Sequence, residues 1–149
     1  MIAIGSDHAA YDFKIEIVNY LKEKGYECKD FGSEANVRAD YPDYARLVAK
    51  SIQSGESDRG MLFCGTGIGM SIAANKVKGI RAAVCTEALS AELSRKHNNA
   101  NILCLGARMT GIELAKRIVD VWLETEFEGG RHQTRVDIIS SIEAEEGRT

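Results

Sequence analysis

The feature that most constrains the fold is an alternation. Short apolar runs, each too brief for a helix, are separated by amphipathic segments along the whole chain. Residues 1–5 predict a strand, and residues 10–24 a helix with Phe13, Ile17 and Leu21 on one stripe and Gly25 as its stop. Residues 26–31 predict a second strand, and residues 32–40 a polar loop. Pro42, the only proline, sits where a helix begins, with Asp40 a candidate cap, and that helix extends to about Ser54. Residues 60–64, 80–85 and 101–105 predict three more strands. Helices are expected over residues 69–77, 86–97 (stopped by Asn98 and Asn99), 110–125 and 131–145. Strands this short and apolar, interleaved with helices, imply an α/β fold: one five-stranded parallel sheet with helices on both faces. The 149 residues suit a single domain, 1–149, and no linker or repeat divides them.

In such sheets ligands bind beyond the C-terminal ends of the strands. The loops marked in advance are therefore residues 6–9, 32–40, 64–69, 86–87 and 106–110. Composition narrows the ligand. The net charge is −3 and no basic run occurs, which disfavours nucleic acid. No apolar run approaches the ~20 residues of a membrane span, and no positive segment precedes an apolar start. The expectation is a cytoplasmic chain without membrane contact. The four cysteines form no C-x-x-C pair and the three histidines no zinc-ligand spacing, so neither a metal site nor a cofactor is expected. Cys28, Cys85 and Cys104 fall inside strand-like runs, where a thiol serves as a small core group.

Cys64 differs because a glycine-rich stretch comes directly after it. Residues 63–69 read FCGTGIG. As a dinucleotide loop this fails: Met70 stands where close packing wants Gly or Ala, and the motif comes after the third strand rather than the first. A P-loop fails as well, for want of G-K-[ST]. There remain a strand end, glycines free to take unusual torsions, and N–H groups at a helix start converging on one spot. Such a spot stabilises a phosphate or an oxyanion, and it favours a neighbouring thiolate. Cys64 is then a nucleophile or a general base, and spacing does not separate the two. Asp7 and His8 reach the same rim as polar contacts or as a helix cap. His97 ends a helix just before the fifth strand. Arg131 and Arg135 lie four apart after Gly129-Gly130, on one helical face, where an anion would satisfy them. Arg108 comes after the fifth strand at the rim. Together these suggest proton transfer beside the carbonyl of a small phosphorylated substrate.

Several stretches carry a family likeness. SDH near the start, DYPDYA at 40–45, CGTGIGMSIAANK at 64–76, RKHNNANIL at 95–103, GAR at 106–108 and EGGRHQTRV at 128–136 resemble the ribose-5-phosphate isomerase B family, in order and over nearly the whole chain. The resemblance implies a Rossmann-like three-layer fold and a homodimer with active sites at the subunit interface, with further pairing of dimers left open. It implies interconversion of ribose 5-phosphate and ribulose 5-phosphate without a metal or cofactor. By position, Cys64 is the base between C1 and C2, and His97 assists ring opening. Backbone amides of Gly65, Gly67, Ile68 and Gly69, with Thr66, hold the enediolate oxygen. Asp7, His8, Tyr41 and Asn98 contact the sugar, and Arg108, Arg131 and Arg135 bind phosphate. One branch of the family carries a glutamate base where Met70 stands, and a thioether takes no proton. Six-carbon substrates, allose 6-phosphate or galactose 6-phosphate, stay open, as does a non-catalytic sugar-phosphate sensor. A thiol-redox role is disfavoured, since no second cysteine lies near Cys64 in sequence.

Overall fold

A computed structural model describes residues 1–147. Its elements keep the predicted order: β1 Ile2–Ser6, α1 Tyr11–Glu23, β2 Cys28–Asp30, α2 Tyr41–Gln53, β3 Arg59–Cys64, α3 Ile68–Ala74, β4 Ala82–Val84, α4 Ala88–Asn98, β5 Ile102–Gly106, α5 Ile112–Glu124 and α6 Arg131–Glu146. All strand pairs are parallel, in the order β2-β1-β3-β5-β4.

Alternation along the strands decides which helix packs where, because successive side chains leave opposite faces. Ile2, Ile4, Met61, Phe63, Leu103 and Leu105 point to one face, under Ile17 and Leu21 of α1, Ala91 of α4 and Ile118 and Trp122 of α5. Ala3, Leu62, Cys64, Ile102 and Cys104 point to the other, under Ala45 and Val48 of α2 and Met70 and Ala74 of α3. The fold is thus Rossmann-like and three-layered. Phe63 meets Phe13 edge to face at 5.3 Å between centroids, and burying a ring of that size contributes about 2 kcal/mol or more. The outlier is α6. Only Val136 of it is buried, it packs on α4, and Ile138, Ile139 and Ile142 face outward.

Differences from expectation are local. The edge strands β2 and β4 are three residues each, shorter than the apolar runs that suggested them, since an edge strand is paired on one side only and its ends turn away sooner. Asp40 occupies the cap position of α2, but its side chain makes no capping hydrogen bond. The cap function appears instead at Asp7, whose Oδ1 accepts the Ala10 N–H at 3.0 Å. Asn99 ends α4 in the left-handed region at φ 48°.

The connections run β1 to β2 in one direction and then back past β1 to β3. That reversal opens a crevice beyond the C-terminal ends of β1 and β3. One wall is braced by Lys14, a fully buried lysine of α1. Its ammonium donates to Asp30 Oδ1 at 3.0 Å and to the Ser33 carbonyl, which anchors the loop after β2.

Candidate active site

Cys64 is the last residue of β3 and stands opposite Gly106 of β5. Its side chain is buried, yet the sulfur faces the loop: the Gly67 N–H donates to Sγ at 3.2 Å. A thiolate is the sulfur species that such a donor stabilises most. Gly67 sits at φ 78°, and a Cβ there would come within 2.9 Å of the Leu105 carbonyl carbon. The turn that aims this amide at sulfur therefore depends on glycine. The Ile68 N–H donates to Thr66 Oγ1 at 3.2 Å. Two of the amides expected to cradle a substrate oxygen thus serve the chain itself, one of them by supporting the sulfur.

Around Cys64 lies a cavity of about 460 Å³ lined by Asp7, Tyr41, Cys64, Gly65, Thr66, Ile68, Gly69 and Ile72. Seven of the residues picked out from sequence meet there. Tyr41 crosses from α2 so closely over Gly69 that a Cβ on that glycine would lie 2.5 Å from the ring. Arg108 reaches across Gly65, its Cδ 3.5 Å from where a Gly65 Cβ would stand. His8 Nδ1 accepts the Ala39 N–H at 3.1 Å, which joins the rim to the loop before α2. Met70 is buried in the same apolar cluster as Cys64 and offers no proton acceptor. The other thiols behave as core groups. Burial pushes Cys28 and Cys85 up and Cys104 well up from the ordinary thiol range.

The remaining candidates form a second group. His97 and Asn98 end α4, which leads into the start of β5, and Arg131 and Arg135 lie in the first turns of α6. The His97 ring stacks on His132 at 4.3 Å between centroids and 16° between planes. Glu128 joins them: its Oε1 is 3.7 Å from His97 Nε2 and 3.6 Å from His132 Nε2, and its N–H donates to the Lys96 carbonyl at 3.2 Å. Burial holds His132 below the usual imidazole range, the His97 and Arg131 charges add to that, and Glu128 opposes it. Arg131 and Arg135 are exposed, and Arg135 Nη1 donates to the Arg131 carbonyl at 3.0 Å.

The two groups do not meet within one chain. Gly60 pairs with Ile102 and Cys64 with Gly106, so Cys64 is at one end of the sheet and His97 beyond the other. Four strand residues span about 13 Å, and α4 packs on the face of the sheet opposite Cys64. The expectation that His97, Asn98, Arg131 and Arg135 share a site with Cys64 therefore holds for no single copy. Glu128 and His132 carry no sequence signal of a shared function beyond their place inside EGGRHQTR, and neither was a candidate on sequence grounds. Together with His97 they form a cluster of three metal-ligating groups, where residue spacing had suggested none.

Comparison with known proteins gives the family. The model of the Ribose/Galactose Isomerase family matches residues 2–139. Ribose-5-phosphate isomerase B of Escherichia coli is 55% identical over 142 residues, 95% of either chain. D-erythrulose-4-phosphate isomerase of Pectobacterium atrosepticum is 49% identical over 146 residues, 97% of this chain and 96% of that one. Among solved structures, ribose-5-phosphate isomerase B of Clostridium thermocellum superposes with a TM-score of 0.95 at 58% identity, covering 97% of each chain. A family model over nearly the whole length, relatives about half identical end to end and one superposable fold leave a single assignment: this chain belongs to the ribose/galactose isomerase family.

Proposed function

We propose that the protein is an aldose–ketose isomerase that interconverts ribose 5-phosphate and ribulose 5-phosphate, in a site that two copies of the chain build together. The reading rests on one observation above the others, the Gly67 N–H directed at Cys64 Sγ on the wall of the cavity. His97 of a second copy takes the proton of the C1 hydroxyl and hands it to the ring oxygen as the bond between C1 and that oxygen breaks, which opens the furanose. The Cys64 thiolate then takes the proton from C2, and the electron pair moves onto the C1 carbonyl oxygen as the cis-enediolate forms. The thiol returns the proton to C1 while the C2 hydroxyl passes its proton to the C1 oxygen and becomes the ketone, so no atom is gained or lost. The Gly65 and Gly69 N–H groups and the Thr66 hydroxyl meet the oxygen where charge grows, each worth about 3 kcal/mol of transition-state stabilisation. Arg108, Arg131 and Arg135 hold the distal phosphate and keep the sugar in register with the sulfur.

Outward apolar side chains support the pairing of copies. Ile68, Ile72, Val84 and Met109 flank the Cys64 end, and Ile138, Ile139 and Ile142 line α6. All four cysteines are free, and no helix among the described residues is long and apolar enough to cross a membrane. Both features are compatible with the cytoplasmic location we infer.

Cys64→Ala is expected to bind ribulose 5-phosphate and to lose both turnover and solvent-proton exchange at C2 of ribose 5-phosphate, read by NMR in D2O. Exchange at the native rate would remove Cys64 from the role of base. The Pectobacterium relative acts, by its name, on a four-carbon sugar, so a shorter substrate is the second reading. Turnover of ribose 5-phosphate, D-erythrulose 4-phosphate and allose 6-phosphate side by side decides between them, and kcat/KM highest for the pentose is the expected result.

A further inference from the structure

The cluster of His97, Glu128 and His132 contains more than ring opening requires. The Glu128 Oε1 atom faces both Nε2 atoms at 3.7 and 3.6 Å, beyond the about 2.7–3.2 Å of an N–H···O hydrogen bond. Ligand atoms of all three residues lie within 4.8 Å of one another. The two rings stack at 4.3 Å between centroids, with the carboxylate oxygen near both nitrogens.

We propose that His97, Glu128 and His132 bind a divalent transition-metal ion, Zn²⁺ best of all, and that the ion reversibly inhibits the isomerase by withdrawing His97 from ring opening. The binding half stands on the cluster itself, and the inhibition half rests on the function proposed above.

Two imidazoles and a carboxylate are a zinc ligand set that leaves a fourth position open. Tetrahedral bonds of about 2.0–2.2 Å to nitrogen and oxygen give ligand–ligand edges of about 3.3–3.6 Å. The two edges to the carboxylate are within a few tenths of an ångström of that range; because a nitrogen lone pair lies in its ring plane, closing on the ion also turns one imidazole out of the 16° stack. The frame is held by backbone: the Glu128 N–H donates to the Lys96 carbonyl, and the His132 N–H to the Gly129 carbonyl at 3.0 Å. Softer copper and nickel ions also favour imidazole, whereas magnesium and calcium want oxygen ligands. Arg131 and Arg135 on the same turns oppose a cation by charge. They make the site one that loads reversibly and empties to a chelator.

The test titrates Co²⁺ and Zn²⁺ into the full-length chain after EDTA treatment. Visible d–d bands are expected to saturate at one Co²⁺ per chain, without the near-ultraviolet thiolate-to-cobalt band that would mark Cys64 as a ligand. Affinity should fall at least about tenfold in Glu128→Gln and in His132→Gln and persist in Cys64→Ala. Turnover of the wild-type protein should fall with Zn²⁺ and return with EDTA. Glu128→Gln should turn over at the wild-type rate yet need at least about ten times more Zn²⁺ for the same inhibition. A thiolate band, loss of binding in Cys64→Ala, or unchanged affinity in both Gln variants would overturn the site. Loss of affinity in both Gln variants with no isomerase activity on any sugar phosphate would leave the site standing and defeat the proposed function instead.

Discussion

At the scale of residues, surroundings separate Cys64 from the other thiols. Cys85 and Cys104 are buried, and burial pushes both thiols up. Cys28 is partly exposed but is pushed the same way by burial. Cys64 lines a cavity and accepts a hydrogen bond from the Gly67 N–H. Brief iodoacetamide treatment at neutral pH should therefore label Cys64 first, and saturating ribulose 5-phosphate should block it. Peptide mass mapping checks this, and labelling of Cys104 in the folded protein at the same rate would contradict it. This much was legible in FCGTGIG, because a strand end, a thiol and alternating glycines are all local. His132 and Glu128 were not legible. Each is unremarkable alone, and their meeting with His97 depends on how the start of α6 docks against the end of α4.

At the scale of elements, the β3–α3 turn is where fold and chemistry coincide, and two glycines separate their contributions. Gly25, after α1, has φ 89° with nothing within 4 Å of the place a Cβ would take, whereas Gly67 combines φ 78° with the close approach to Leu105. Gly25→Ala adds backbone strain alone, of about 1 kcal/mol. It should lower Tm by a few degrees and leave kcat untouched. Gly67→Ala adds a backbone clash to the strain, at about 1–3 kcal/mol or more, and displaces the amide that supports the sulfur. Its Tm should fall further and its kcat should fall as well. A Gly67→Ala enzyme with native kcat would show that this N–H does not matter to the base. Calorimetry and steady-state rates on the two variants make the comparison. Strand order illustrates what sequence periodicity omits at this scale. The short apolar runs at β1, β3 and β5, interleaved with helices, announced a sheet covered on both faces, but the runs at β2 and β4 overstated their lengths, because pairing, not hydrophobicity, ends an edge strand.

At the scale of the whole molecule, the decisive fact is a separation. A parallel sheet sends every strand end one way and every returning helix the other, so Cys64 after β3 and His97 at the end of α4 are kept apart by topology. Motifs in chain order do not reveal this, since order along the chain says nothing about which end of a layer a residue reaches. If function needs both residues, symmetry supplies the solution: a two-fold pair of chains brings the Cys64 end of one to the His97 end of the other, twice. The consequence is measurable with two inactive proteins. On that pairing, Cys64→Ala and His97→Asn homodimers would each lack one half of both sites. When the two are unfolded together and refolded at equal concentration, random pairing makes half of the dimers mixed. In each mixed dimer one site receives both intact halves and the other receives neither. About a quarter of wild-type activity should therefore return, appearing only with mixing and in proportion to the mixed dimer resolved by charge-tagged chromatography. If the mixed dimer forms and stays inactive, Cys64 and His97 do not act across copies, and the division of the site between two chains is wrong.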